Sequence, residues 1–186
     1  MAAHPPVDRS RLQVRPLGEG DEQLIEGFSC GDGEDDRDLN EFLLRDASEL
    51  QNLNVISVYL AIHDDAELIG YVALLTDAIR LKTSERKPLG LPHQSHPVVP
   101  AIKVARLAVS KRFRDEYSGA GAYLMSFAKN IALGVADSVG CRVLTVDAYP
   151  HAVPFYERLG FKANKEASKA KPGSSNLSMR LDVFSA

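Results

Sequence analysis

The chain has 186 residues, 45 % hydrophobic and 25 % charged, with a net charge of −3. That length suits one domain with a real core, and the slightly acidic balance argues against a general nucleic-acid binder, which carries a basic excess. No apolar run approaches the roughly 18 residues of a membrane span, and the stretch from Met1 to Arg11 lacks the apolar core of a secretion signal. The expected compartment is the cytoplasm. The only cysteines, Cys30 and Cys141, are far apart in the chain and read as buried, unpaired thiols.

Residues 1–10 read as a flexible tail, with Pro5-Pro6 blocking regular structure, and residues 11–186 as a single domain. Leu12, Val14 and Leu17 alternate with polar residues and predict a first strand. An acidic, turn-rich stretch, Phe28 to Asn40, leads into a helix whose apolar face is Leu39, Phe42, Leu43, Ala47 and Leu50. Asp35 and Asp36 fall near its start, where negative charge complements the helix dipole. No His or Cys cluster accompanies these acids, so no metal site is expected. Val55–His63 and Leu68–Asp77 are rich in β-formers and read as a hairpin turning near Asp64-Asp65. A polar connection, Lys82 to Pro97, follows; its His93 and His96 lack a third ligand and read as loop histidines.

Val98–Val109 is nearly continuous and apolar, as a strand covered on both faces would be. The chain then turns basic at Lys111, Arg112 and Arg114 and reaches Gly119-Ala120-Gly121-Ala122 before a helical pattern that Gly140 closes. The first N–H groups of a helix lack intrahelical partners and point out at its positive dipole end. A strand, a basic glycine loop and a helix start therefore predict a pyrophosphate cradle for a nucleotide-containing cofactor. Val143, Leu144 and Val146 make a short buried strand ending at Asp147. Pro150 and Pro154 introduce a short helix with Phe155, Tyr156 and Leu159, stopped by Gly160, and Leu177–Val183 is the last strand. The fold class is α/β (α+β): an antiparallel front half with a strand–helix–strand unit behind. Neither the Gly-x-x-x-x-Gly-Lys-Ser/Thr pattern nor the dinucleotide fingerprint is present, which sets aside a generic nucleotide-binding protein.

At Arg106-Leu107-Ala108-Val109, the glycine loop and Ala152-x-x-Phe155-Tyr156-x-x-x-Gly160-Phe161, the chain resembles the GNAT family of acyl-CoA-dependent N-acetyltransferases. The likeness runs from about Val14 to Val183. Phe28-x-Cys30-Gly31 and Leu39-Asn40-Glu41-Phe42-Leu43 resemble the subgroup that includes tRNA-acetylating toxins. The resemblance implies a central, mostly antiparallel sheet with two splayed strands and flanking helices, and acetyl-CoA as acyl donor. It further implies that Leu107, Ala108 and Val109 pair with the pantetheine arm through their backbone. Arg114, Ser118, Gly119, Ala120, Gly121 and Ala122 would surround the pyrophosphate, with Phe155 packing on the cofactor. The loop departs from the family pattern: Glu116 stands where Gln or Arg is usual, and Arg114 lies two residues upstream. A small insertion accounts for this, with Arg114 reaching the pyrophosphate, or Arg112 or Lys111 taking that task. Tyr156 occupies the position of the family's general acid. A neutral phenol, with a reference pKa of about 10, can protonate a departing thiolate. A backbone N–H near Leu107 is the candidate donor to the acyl oxygen. Asp147, or a water held by His151 or Glu157, is the candidate base, and Tyr149 replaces a frequent asparagine. The expected acceptor is a primary amine on a small molecule, a protein or a charged tRNA. Arg80, Lys82, Arg86 and Lys87 form a candidate basic patch for RNA. A non-catalytic CoA-binding scaffold is the competing class, and pairing of two chains is common in the family.

Overall fold

The computed structural model describes residues 4–64, 67–91, 98–165 and 175–185. Its elements are β1 (Leu12–Pro16), α1 (Glu22–Glu26), α2 (Glu34–Glu41), α3 (Ala47–Asn52), β2 (Ser57–His63), β3 (Leu68–Arg80) and α4 (Thr83–Arg86). There follow β4 (Val98–Val109), α5 (Lys111–Glu116), α6 (Ala120–Ser138), β5 (Val143–Ala148), α7 (Val153–Arg158), β6 (Lys162–Ala163) and β7 (Leu177–Asp182). Among the described residues the sheet has seven strands in the order β1-β2-β3-β4-β5-β7-β6. β4 and β5 pair in parallel, whereas β1–β2, β2–β3, β5–β7 and β6–β7 pair antiparallel. The expected mostly antiparallel α/β architecture is the one observed. Among the described residues no helix is long and apolar enough to cross a membrane.

The chain divides into two compact units, one of Met1–Leu75 with Ala105–Ala128, the other of Thr76–Val104 with Lys129–Ala186. In the first unit the predicted helix starts at Glu34, beside the expected Asp35 and Asp36, and runs through α2, a π-helical turn at Phe42–Asp46, and α3. Asp36 accepts a hydrogen bond from the Gly33 N–H at 3.3 Å, so the acids at the helix start cap it, as the dipole argument predicts. Leu39, Phe42, Leu43 and Ala47 are buried. They cover Tyr71 of β3, whose hydroxyl donates to the Leu39 carbonyl at 2.7 Å. Phe28 meets the Tyr71 ring edge-on at 5.7 Å and Phe42 stacks on it at 6.1 Å. Such pairs add about 1 kcal/mol each beyond area burial. Cys30 is buried and unpaired, and burial together with the nearby Asp36 pushes its thiol up to about 11, so it is inert at neutral pH.

In the second unit Val143, Leu144 and Val146 of β5 are buried beside Met179 of β7. The β4–β5 pairing covers Ala101–Val104 against Val143–Val146, and β4 runs on beyond it to Val109. The polar connection after β3 contains the short α4, with Glu85 and Arg86 buried. Arg86 therefore does not contribute to an exposed basic patch, which corrects the sequence expectation; Arg80, Lys82 and Lys87 are exposed. His93 and His96 lie outside the described residues.

Glu85 accepts from Arg180 at 2.7 Å, from the Lys165 N–H at 3.0 Å and from the Lys82 N–H at 3.1 Å. Burial alone raises its pKa, but these donors outweigh burial and hold the carboxyl below its usual range. A carboxylate depressed in the folded state stabilises above its unfolded pKa, about 4.3, and that stabilisation is lost as pH falls through the folded value. Glu85→Gln is expected to lower stability by about 2 kcal/mol at pH 7, because Arg180 keeps its charge but loses its counter-charge. Urea unfolding at pH 7 and at about pH 3.5 checks this: the gap between variant and parent narrows in acid.

Candidate active site

The strand β4 brings Leu107, Ala108 and Val109 to the start of the predicted cradle. Ala108 is buried against Gly70 of β3, and a Cβ at Gly70 would sit 2.5 Å from the Ala108 carbonyl oxygen. The two backbones thus approach as only glycine allows. The adjoining Ser110 N–H donates to the Ile69 carbonyl at 2.7 Å.

The residues expected as a loop insertion form a helix, α5. Ser110 and Phe113 point inward while Lys111, Arg112, Arg114, Asp115 and Glu116 are exposed, a one-sided pattern that suits a short surface helix. The Phe113 ring stacks on Tyr117 at 4.7 Å. Arg112 pairs with Glu67 at 3.4 Å and with Glu116 at 3.8 Å, so it is partnered by carboxylates. Arg114 donates to the Cys30 carbonyl at 3.0 Å. That bond fixes one side of an exposed guanidinium two residues from the Glu116 that breaks the family pattern.

Past α5 the backbone donors divide. The Tyr117 N–H bonds back to Phe113 at 2.8 Å, and the Ser118 N–H to Pro5 at 2.9 Å. The Ser118 hydroxyl lies 3.1 Å from the His4 carbonyl. Intrahelical bonding in α6 begins with Tyr123 N–H to Gly119 at 2.9 Å. Among the described residues no acceptor meets the N–H groups of Gly119, Ala120, Gly121 and Ala122. Gly119 has φ +94°, a conformation L side chains rarely adopt, and it turns the chain into the helix. Four consecutive free donors at the positive end of a nineteen-residue helix fit a diphosphate. Ser118 reaches the loop, but its N–H and hydroxyl are engaged by the N-terminal segment, and the donors begin one residue later.

In the other unit β5 ends at Ala148, and a 3-10 turn, Pro150–Ala152, leads into α7. Pro150 and Pro154 sit at first positions, where the missing N–H costs no hydrogen bond. Tyr156 is buried, with Phe155 edge-on at 5.0 Å and Phe161 edge-on at 5.3 Å. Burial, with Tyr149 adding to it, raises the phenol well above its usual range, so it stays protonated at neutral pH. Asp147 pairs with Lys103 at 2.6 Å. The ion pair engages the carboxylate, which favours a structural role for it. His151 stacks on Tyr149 at 5.8 Å, and Glu157 is exposed.

Sequence reasoning missed Gly70 and the partners of Ser118. A signal for the first exists: a lone glycine inside the apolar run Leu68-Ile69-Gly70-Tyr71-Val72 marks close backbone approach. For the second there is none, because pairing of Pro5 with Ser118 has no local pattern.

Residues 32–183 match the family described as the acetyltransferase (GNAT) domain. Among solved structures, AtaT complexed with acetyl-methionyl-tRNAfMet is 21 % identical, with TM-score 0.73 over 92 % of this chain and 94 % of that one. A tyrosine-to-phenylalanine mutant of KacT is 23 % identical, with TM-score 0.72 over 91 % and 95 %. AtaTR bound with AcCoA is 21 % identical, with TM-score 0.70 over 94 % and 95 %. No curated protein matches the chain. These structures share the fold, and the family match spans nearly the whole of the seven-stranded architecture. The protein belongs to the GNAT acetyltransferase family and is an N-acetyltransferase with acetyl-CoA as its acyl donor.

Proposed function

We propose that the chain transfers the acetyl group of acetyl-CoA by direct attack of a primary amine, and that this amine is the aminoacyl group of a charged tRNA. The four unengaged N–H groups of Gly119–Ala122 carry the cofactor half of the proposal. They suit a diphosphate, with the exposed Arg114 as the adjoining cation and Phe155 packing on the cofactor. Leu107, Ala108 and Val109 supply backbone for the pantetheine arm, and an N–H near Leu107 donates to the acyl oxygen as charge develops. The thioester supplies an activated acyl group with a thiolate leaving group. Tyr156, buried and protonated, is the general acid for that thiolate.

The tRNA half is supported by the structure of AtaT with acetyl-methionyl-tRNAfMet. Structures of AtaT with the antitoxin AtaR support a protein partner as well. The exposed Arg80, Lys82 and Lys87 are available to phosphates despite the net acidic charge. Release of free thiol from acetyl-CoA, followed with aminoacyl-tRNA, uncharged tRNA and a panel of small amines, tests the proposal. Charged tRNA is expected to be acetylated with a rate that falls as salt rises. Equal activity on small amines, or none with charged tRNA, contradicts the acceptor assignment.

A further inference from the structure

The segment before β1, which sequence reading treats as a tail, is hydrogen-bonded to the loop ahead of the four free donors. Pro6 and Ser118 form a parallel bridge. The Ser118 N–H donates to the Pro5 carbonyl and the Val7 N–H to the Ser118 carbonyl, both at 2.9 Å. The Ser118 hydroxyl donates to the His4 carbonyl at 3.1 Å. Val7 is buried in a cluster with Leu12, Ile69, Phe113 and Ala120. Next along the chain, Asp8 caps a 3-10 turn, Arg9–Arg11, by accepting from the Ser10 N–H at 3.0 Å. That turn sets the Arg9 guanidinium over the Tyr123 ring at 5.8 Å, within cation–π range. The segment therefore touches the loop before the donors at Ser118, the donor stretch itself at Ala120, and the helix after it at Tyr123.

From this bracketing we infer that His4–Arg9 is a brace that holds the Gly119–Ala122 donors in the geometry that grips the cofactor, with Val7 as its principal positioning residue. The inference rests on the cradle assigned above. A physical need for a brace is visible in the same place. α5 lengthens the connection between β4 and α6, and a longer connection has more conformations to lose on binding. Hydrogen bonds to Ser118 remove that freedom beforehand, and donors ordered in advance bind more tightly than donors ordered by the ligand. Val7 touches neither diphosphate nor thioester in this account, and acts only through the loop.

CoA affinity by calorimetry, with acetyl-CoA KM and kcat, tests the brace in the full chain. Val7→Ala is expected to weaken CoA binding about five- to tenfold and raise KM in step. Its kcat at saturation stays within about twofold, amide exchange quickens at Ser118, whose N–H is bonded to Pro5, and Val7→Ile restores affinity. Leu12→Ala opens a cavity in the same cluster away from Ser118, and is expected to lower thermal stability more than it lowers affinity. Unchanged affinity in Val7→Ala, or an equal loss in Leu12→Ala, overturns the brace while leaving the cradle standing. A parent chain that binds no CoA overturns the cradle, and the brace with it.

Discussion

Replacing Tyr156 with phenylalanine is expected to lower kcat about 10²- to 10³-fold and to leave CoA affinity within about twofold. The substitution removes one oxygen from a side chain packed between Phe155 and Phe161, so the ring contacts survive. In the proposed mechanism the lost group is the proton donor to the leaving thiolate. That contribution exists only in the transition state, and its removal therefore falls on kcat rather than on binding. The environment of the phenol adds a second expectation. Burial raises its pKa above the ordinary phenol range, so Tyr156 keeps its proton to higher pH than an exposed tyrosine. A general acid with a raised pKa is active below that pKa and fails above it. The rate is expected to climb with pH as the acceptor amine deprotonates, and to show no fall from Tyr156 below about pH 10. Stopped-time thiol release between pH 6 and 10 reads both effects. A Tyr156→Phe chain with the parent's kcat removes the acid assignment.

Gly70→Val is expected to destabilise the protein by about 4 kcal/mol or more and to abolish CoA binding in whatever remains folded. A Cβ at residue 70 would meet the Ala108 carbonyl oxygen at 2.5 Å, the Val109 Cα at 3.3 Å and the Leu124 Cδ1 at 3.1 Å. Two of these are backbone atoms of β4, which cannot swing aside as a side-chain tip can. Relief requires β4 to move away from β3 at Ala108, where the cofactor arm is proposed to pair. Gly70→Ala carries the same Cβ and a smaller volume, and is expected to lose about half as much stability while still weakening CoA. Thermal unfolding with and without CoA gives both numbers. Parent-like stability in the alanine variant contradicts the close approach.

The parts of the fold that sequence revealed are those with strong local periodicity. The Val98–Val109 strand, the helix closed by Gly140 and the short Phe155-Tyr156 helix all stand where the pattern put them, because apolar spacing and flanking Pro and Gly signals define them. α1, β6 and α4 were illegible. Each has five residues or fewer, too short for a period to show, and tertiary contacts contribute: Glu85 in α4 is held by Arg180 of β7. α5 was misread as loop because its charges, Lys111, Arg112, Arg114 and Glu116, mask a single inward aromatic, Phe113. The turn at Gly119 and the short aromatic helix that carries Tyr156 were legible as local structure. The partition of donors at Ser118 was not, since which amides are free depends on a segment more than a hundred residues upstream.

Backbone amide shifts in ¹⁵N-labelled protein on titration with CoA test the account most directly. The four amides from Gly119 to Ala122 are expected to move furthest, with Ser118 moving little because its N–H already has a carbonyl partner. Tight CoA binding that leaves those four resonances in place would contradict it.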